Sequence, residues 1–103
     1  MYNAGDVIVQ KFLASWHEAG RQAFESNYSN LEYDSNAYRK TAKQRQKYIC
    51  LDDGASGAFI LDRKTGDVYC CKAYGVPNKK KHVGQIAEIS GADALHCRWW
   101  RRR

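Results

Sequence analysis

The chain reads as an α+β fold: a long N-terminal amphipathic helix packed on a small antiparallel β-meander of three or four strands. Three observations predict it. From Asn3 to Ser26 apolar residues recur at three- and four-residue steps, the period of a one-sided helix. From Lys47 the period falls to two, as in half-buried strands. Between the later apolar runs stand Asp52-Asp53-Gly54 and Asp62 to Asp67, rich in the residue types of tight turns. At 103 residues, 44% hydrophobic and 13% aromatic, the chain is expected to form a single domain, 1–103, with a compact core.

The helix places Val7, Ile8, Phe12, Leu13, Trp16, Ala19, Ala23 and Phe24 on one stripe, with Lys11, Glu18, Arg21 and Glu25 on the wet side. Asn3 is the expected N-cap, and Asp6 lies in the positive end of the dipole. Gly20 points to a close packing contact or a bend. Asn27 to Asn36 is polar and turn-rich and reads as a loop, with Tyr28 and Tyr33 folding back onto the domain. Ala37 to Gln46 is expected as a second short helix capped by Ser35 or Asn36, on which Arg39, Lys43 and Lys47 would stack on one face.

Tyr48 to Leu51, Ala58 to Asp62 and Val68 to Tyr74 are the expected strands. In the second hairpin Asp62 can hydrogen-bond the turn backbone and Gly66 can take a left-handed conformation. Pleating makes Phe59, Leu61, Tyr69, Cys71 and Ala73 candidates for one face, the place for the helix to pack. Gly75, Val76, Pro77 and Asn78 then read as a loop with Lys79, Lys80 and Lys81 on its rim. Val83 to Ile89 is an expected fourth, edge strand. Gly91 to Trp100 fits a helix or a strand, and a basic arm occupies 98–103.

Charge is divided along the chain. Up to Asp34 there are two basic and five acidic residues, and from Ser35 onward fifteen and six. A field this one-sided suits phosphates or an acidic protein face. Three basic clusters carry it: Arg39 to Lys47, with Lys40 and Lys43 between, Lys79 to Lys81, and Arg98 with Arg101, Arg102 and Arg103. Clustered cations release counterions when they meet a polyanion. Trp99 and Trp100 interrupt the last cluster, and adjacent indoles cannot both point inward from a strand, so one is available to stack on a base. Equally, one indole can cap the core while arginine stems cover the other, or the pair can rest at a headgroup interface. Tyr74 beside Pro77 and the lysine run suits backbone tracking with stacking on a single strand, or else simply ends a strand in the core.

From Phe59 to Gly84 the chain resembles a block found in small uncharacterised proteins of bacteriophage and plasmid origin. The matching residues are Asp62, Thr65-Gly66, Val68-Tyr69, then Lys72-Ala73-Tyr74-Gly75-Val76-Pro77, with Gly84 at the end. Cys70 and Cys71 stand where that block has a glycine and an aliphatic residue. The resemblance implies a viral or mobile-element source and assigns no activity.

Catalysis and metal chemistry find little purchase. No Walker loop, zincin helix or nucleophile elbow occurs, so no enzyme activity is expected. The tight pairs of zinc-type residues, Cys70-Cys71 and His96-Cys97, are adjacent in sequence and diverge on extended chain, so no metal or other cofactor is expected. No apolar run reaches the ~20 residues of a membrane span, and no secretory signal is visible, so a cytoplasmic setting with reduced thiols is expected. The expected function is nucleic-acid binding, RNA or DNA, mainly through phosphates. The expected site is Arg39, Lys40, Lys43, Tyr74, Lys79, Lys80, Lys81, Arg98, Trp99, Trp100, Arg101, Arg102 and Arg103. The alternative is a viral accessory protein that docks on an acidic host protein through the same surface, and a structural virion role comes third.

Overall fold

The computed structural model describes residues 1–27, 39–54, 56–91 and 93–94. The expected loop tyrosines Tyr28 and Tyr33, and the whole arm from Arg98 to Arg103 with Trp99 and Trp100, lie outside the described residues. Helix α1 runs Val7–Asn27 and is followed by five strands: β1 Lys40–Gln44, β2 Tyr48–Asp53, β3 Ser56–Asp62, β4 Asp67–Ala73 and β5 Val76–Gln85. The strands form one antiparallel sheet in chain order, so the meander has five strands rather than three or four.

The helix starts later than Asn3. Asn3 to Asp6 is a turn closed by the Asp6 amide donating to the Asn3 carbonyl, and the Asp6 carbonyl accepts the first helical bond from Gln10 at 2.9 Å. The Asp6 carboxylate reaches back to the Asn3 amide at 2.9 Å, which satisfies a donor before the helix begins. Val9, Phe12, Leu13 and Trp16 are buried at i, i+3, i+4 and i+7 and lay the apolar stripe on the sheet. Trp16 and Phe12 both meet Phe59 of β3 edge-on, at centroid separations of 5.1 and 6.5 Å. Such pairs add about 0.5–1.5 kcal/mol each beyond their buried area.

Two cross-strand rows receive the helix. One is Ala42, Leu51, Phe59 and Cys70; the other is Gln44, Ile49, Leu61, Val68 and Gly84. The expected face of β4 is therefore corrected by one residue. Leu61 pairs with Val68 and Phe59 with Cys70, so Val68 and Cys70 point inward while Tyr69, Cys71 and Ala73 belong to the opposite side. The Asp62–Gly66 connection fixes this register: the Asp62 carboxylate accepts the amides of Lys64 and Thr65, and Gly66 takes φ +82°.

Two further expectations change. The stretch from Ala37 to Gln46 holds no helix among its described residues; Lys40–Gln44 is a strand whose partners run from Asp53 to Ile49. Local propensity there favours a helix, and pairing with the strongly apolar β2 overrides it. Pro77 and the lysines form no loop: β5 begins at Val76, directly after the two-residue turn Tyr74-Gly75, where Gly75 has φ +79°. Proline is tolerated there because β5 is the edge of the sheet. The register of β4 and β5 shifts three times, so Lys79, Lys80 and Lys81 fall where pairing is irregular. A bulged, lysine-rich edge with a proline also resists edge-to-edge pairing with another chain.

After β5 the chain turns at Ile86, which is buried, and its amide donates to the Gly66 carbonyl at 2.9 Å. Ser90 and Asp93 cap each other reciprocally and start a helical turn at Gly91. The Gly91 amide donates to Ser15 Oγ at 2.8 Å, so this turn lies against α1. A β-carbon at Gly91 would stand 1.9 Å from the Trp16 amide nitrogen, inside helix backbone that cannot move aside. Gly91→Ala is accordingly expected to cost at least about 1–3 kcal/mol of stability, read as a lowered urea midpoint. A variant as stable as the parent would mean that the turn does not pack on the helix.

Candidate nucleic-acid interface

The face of the sheet turned away from α1 is built from the other set of rows. Lys43, Cys50, Ile60, Tyr69 and His82 are successive partners across all five strands. Cys50 and Ile60 are buried in this row, although the helix packs on the opposite side. Tyrosines and the stems of cationic residues cover this layer. Tyr48 follows the β1–β2 turn, Tyr69 lies beside Ile60, and Tyr74 occupies the β4–β5 turn.

Cations lie against all three rings. Lys79 Nζ is 4.6 Å from the Tyr69 ring centre and 5.5 Å from that of Tyr48, so one side chain from β5 reaches toward β2. Lys47 Nζ is 5.4 Å from the Tyr48 ring, and the Arg45 guanidinium is 6.0 Å from the Tyr74 ring. Among the described residues, Lys43, Arg45, Lys47 and Lys79 make no ion pair with a carboxylate. Arg45, Gln46, Lys47, Tyr48, Tyr74 and Gly75 line a shallow cleft of about 390 Å³.

Tyr74 is 49% exposed, yet its hydroxyl donates to Asp52 Oδ2 at 3.0 Å. That bond, with partial loss of water and the carboxylate's charge, pushes the phenol above its usual range, while Arg45 pulls the other way. Gly57 lets the ring lie close: a β-carbon there would come within 3.1 Å of it.

The expected site residues divide. Lys43, Tyr74 and Lys79 share this face, and Lys80 and Lys81 are exposed farther along β5. Arg39 is exposed just before β1, and its carbonyl holds the Gly54 amide. Lys40 is a correction. It faces the helix, its side chain is only 5% exposed, it bonds Asp53 Oδ1 at 2.7 Å, and it lies 5.0 Å over the Trp16 ring. Gly20 leaves space for it, with Lys40 Nζ at 3.8 Å from where a β-carbon would sit. Arg21 is likewise engaged, with Glu18 and Glu25, and Arg63 is bound to backbone carbonyls. Tyr48 and Tyr69, absent from the expected set, supply two of the three rings; strand alternation from the Asp62 turn with the correct parity is the signal that finds them.

Asp67 lies on this face and is engaged. Asp67 accepts from His82 at 2.9 Å and from Gln85, and its own amide donates to Thr65 Oγ1 at 3.2 Å. The Thr65 hydroxyl first, and then His82, hold its carboxyl below the usual range. Cys50 and Cys70 are buried free thiols and Cys71 a half-buried one; Cys70 and Cys71 take opposite faces, as adjacent strand residues must. Among the described residues, no helix is long and apolar enough to cross a membrane. No family model, curated protein or solved structure matches the chain.

Because folding lowers the Asp67 pKa, its contribution to stability is complete above the ordinary carboxylate range and is lost as pH falls through the lowered value. Thermal melts taken below about pH 4 should therefore show a shallower acid loss for Asp67→Asn than for the parent. Parallel acid limbs would remove Asp67 as a contributor.

Proposed function

We propose that the protein binds single-stranded nucleic acid on the sheet face opposite the helix, mainly through phosphates, in the cytoplasm. In keeping with the resemblance of 59–84, the proposal includes a phage or mobile-element origin and host-cell setting. The observation that carries the proposal is the interleaving of Lys79, Lys47 and Arg45 with Tyr69, Tyr48 and Tyr74, with no carboxylate among the described residues paired to those cations.

Magnitudes favour an incoming strand over the resting arrangement. An exposed cation–ring contact contributes about 0.5–1 kcal/mol. A base stacked on an aromatic ring contributes about 1–3 kcal/mol. A base that displaces Lys79 from Tyr69 makes the stronger contact and frees the ammonium for a neighbouring phosphate. Base edges play no necessary part in this, so affinity follows length and salt more than sequence. The basic arm from Arg98 to Arg103 adds cations to the same chain and is part of the proposed interface, with Trp99 and Trp100 as further stacking groups.

The test is anisotropy of labelled single-stranded and duplex oligonucleotides at two salt concentrations. Lys79→Gln and Lys47→Gln should each weaken single-strand binding and lower the slope of log affinity against log salt by about 0.7. Tyr69→Ala should weaken binding with the slope unchanged. Absence of binding at low salt overturns the proposal and leaves the positive surface to an acidic protein partner.

A further inference from the structure

The cleft between the β1–β2 and β4–β5 turns carries both signs of charge. Arg45 and Lys47 stand in its lining. Tyr74, one of its walls, gives its hydroxyl hydrogen to Asp52, which is 8% exposed. The other carboxylate oxygen, Asp52 Oδ1, is buried and has no hydrogen-bond partner among the described residues. A buried carboxylate oxygen left unsatisfied is costly, and such exceptions in a folded protein call for an explanation.

A ligand donor would supply that explanation, and the surroundings restrict its chemistry. A cationic donor would meet Arg45 and Lys47 at the entrance. A molecule that is anionic in one part and offers neutral N–H donors in another satisfies both. Nucleotides have this form, but their bases differ. Adenine and cytosine set a single donor beside an acceptor on the pairing edge, and uracil flanks its one donor with acceptors. Guanine alone presents two adjacent donors, N1–H and the N2 amine. Two acceptors are on offer here. Asp52 Oδ1 is one, and Asp52 Oδ2 is the other once the Tyr74 hydroxyl leaves it.

Granted the sheet-face interface proposed above, on which this rests, we infer that the cleft takes one guanine base out of a single strand. The two Asp52 oxygens accept its N1–H and N2–H, while Arg45 and Lys47 meet the flanking phosphates. Access comes from Tyr74 itself. It stands on a two-residue turn with Gly75 at φ +79°, beside Gly57. For the base to reach the carboxylate, its side chain must rotate off Asp52, which does not itself line the cleft.

The experiment compares a labelled oligoadenylate with the same strand carrying one central guanine, and then one central inosine, by anisotropy at fixed salt. The guanine strand should bind about tenfold more tightly than oligoadenylate. Inosine, which lacks the N2 amine, should fall between. Asp52→Asn should abolish the guanine preference. Equal affinity for guanine and adenine strands overturns the inference, as does a guanine preference that survives Asp52→Asn. If that variant fails to fold by circular dichroism, the inosine strand decides: no loss on removing the N2 amine overturns it. Salt-dependent binding without base preference leaves the sheet-face interface standing, whereas no binding of any strand overturns both.

Discussion

One guanidinium holds together the segments on which the candidate interface is mounted. Arg63 Nη1 donates to the carbonyls of Arg45 and Gln46 at 2.9 and 3.0 Å, Nε to the Tyr2 carbonyl at 2.8 Å, and Nη2 to Asn3 Oδ1 at 2.7 Å. Its own backbone carbonyl accepts the Tyr2 amide at 2.7 Å. The β1–β2 turn, the β3–β4 turn and the N-terminal segment thus share one side chain. Hydrogen bonds to a charged group contribute about 1.5–3 kcal/mol each, more than neutral ones. A lysine could not replace it, because a point charge on a flexible stem cannot present donors in a fixed planar fork. Arg45 and Lys47 line the cleft on a turn whose carbonyls are captured in this way, so their positions are set by the fold and not by a ligand.

The two faces of the sheet are closed by different physics. Toward the helix, Trp16, Phe12 and Phe59 interlock with the aliphatic rows, and Lys40 is buried there in an ion pair with Asp53 and over the Trp16 ring. Breaking such a partly buried pair by removing one member leaves an uncompensated charge. On the far face, Cys50 and Ile60 are covered by tyrosine rings and lysine stems, which are amphipathic and can be rearranged. A surface of that kind keeps water from the sheet while its polar ends stay accessible.

Much of the fold was legible because its signals are local. The helix announces itself through Phe12, Leu13 and Trp16, and the β3–β4 hairpin through Asp62 and Gly66, where turn chemistry and conformation agree. β1 was not legible: Lys40–Gln44 has no apolar alternation, and its identity as a strand comes from Ile49, Leu51 and Asp53 across the ladder. The face of β4 turned on parity, since a one-residue slip exchanges Val68 and Tyr69. Within the site, Tyr74 and Lys79 could be found because aromatic and cation are close in sequence. Lys40 looked like its neighbours Arg39 and Lys43 until Asp53 and Trp16 drew it inward. Asp52 read as half of an acidic turn, and nothing in the sequence distinguishes it from Asp53, although they end on opposite faces.

The irregular ladder between β4 and β5 separates the lysine run from the hydrophobic rows that hold the molecule together. Substitutions at Lys80 and Lys81 leave the packed interior untouched. Mutational drift can therefore raise or lower the electrostatic strength of this border without eroding foldability. Selection acting on charge and selection acting on the interior are thereby uncoupled in the same short strand.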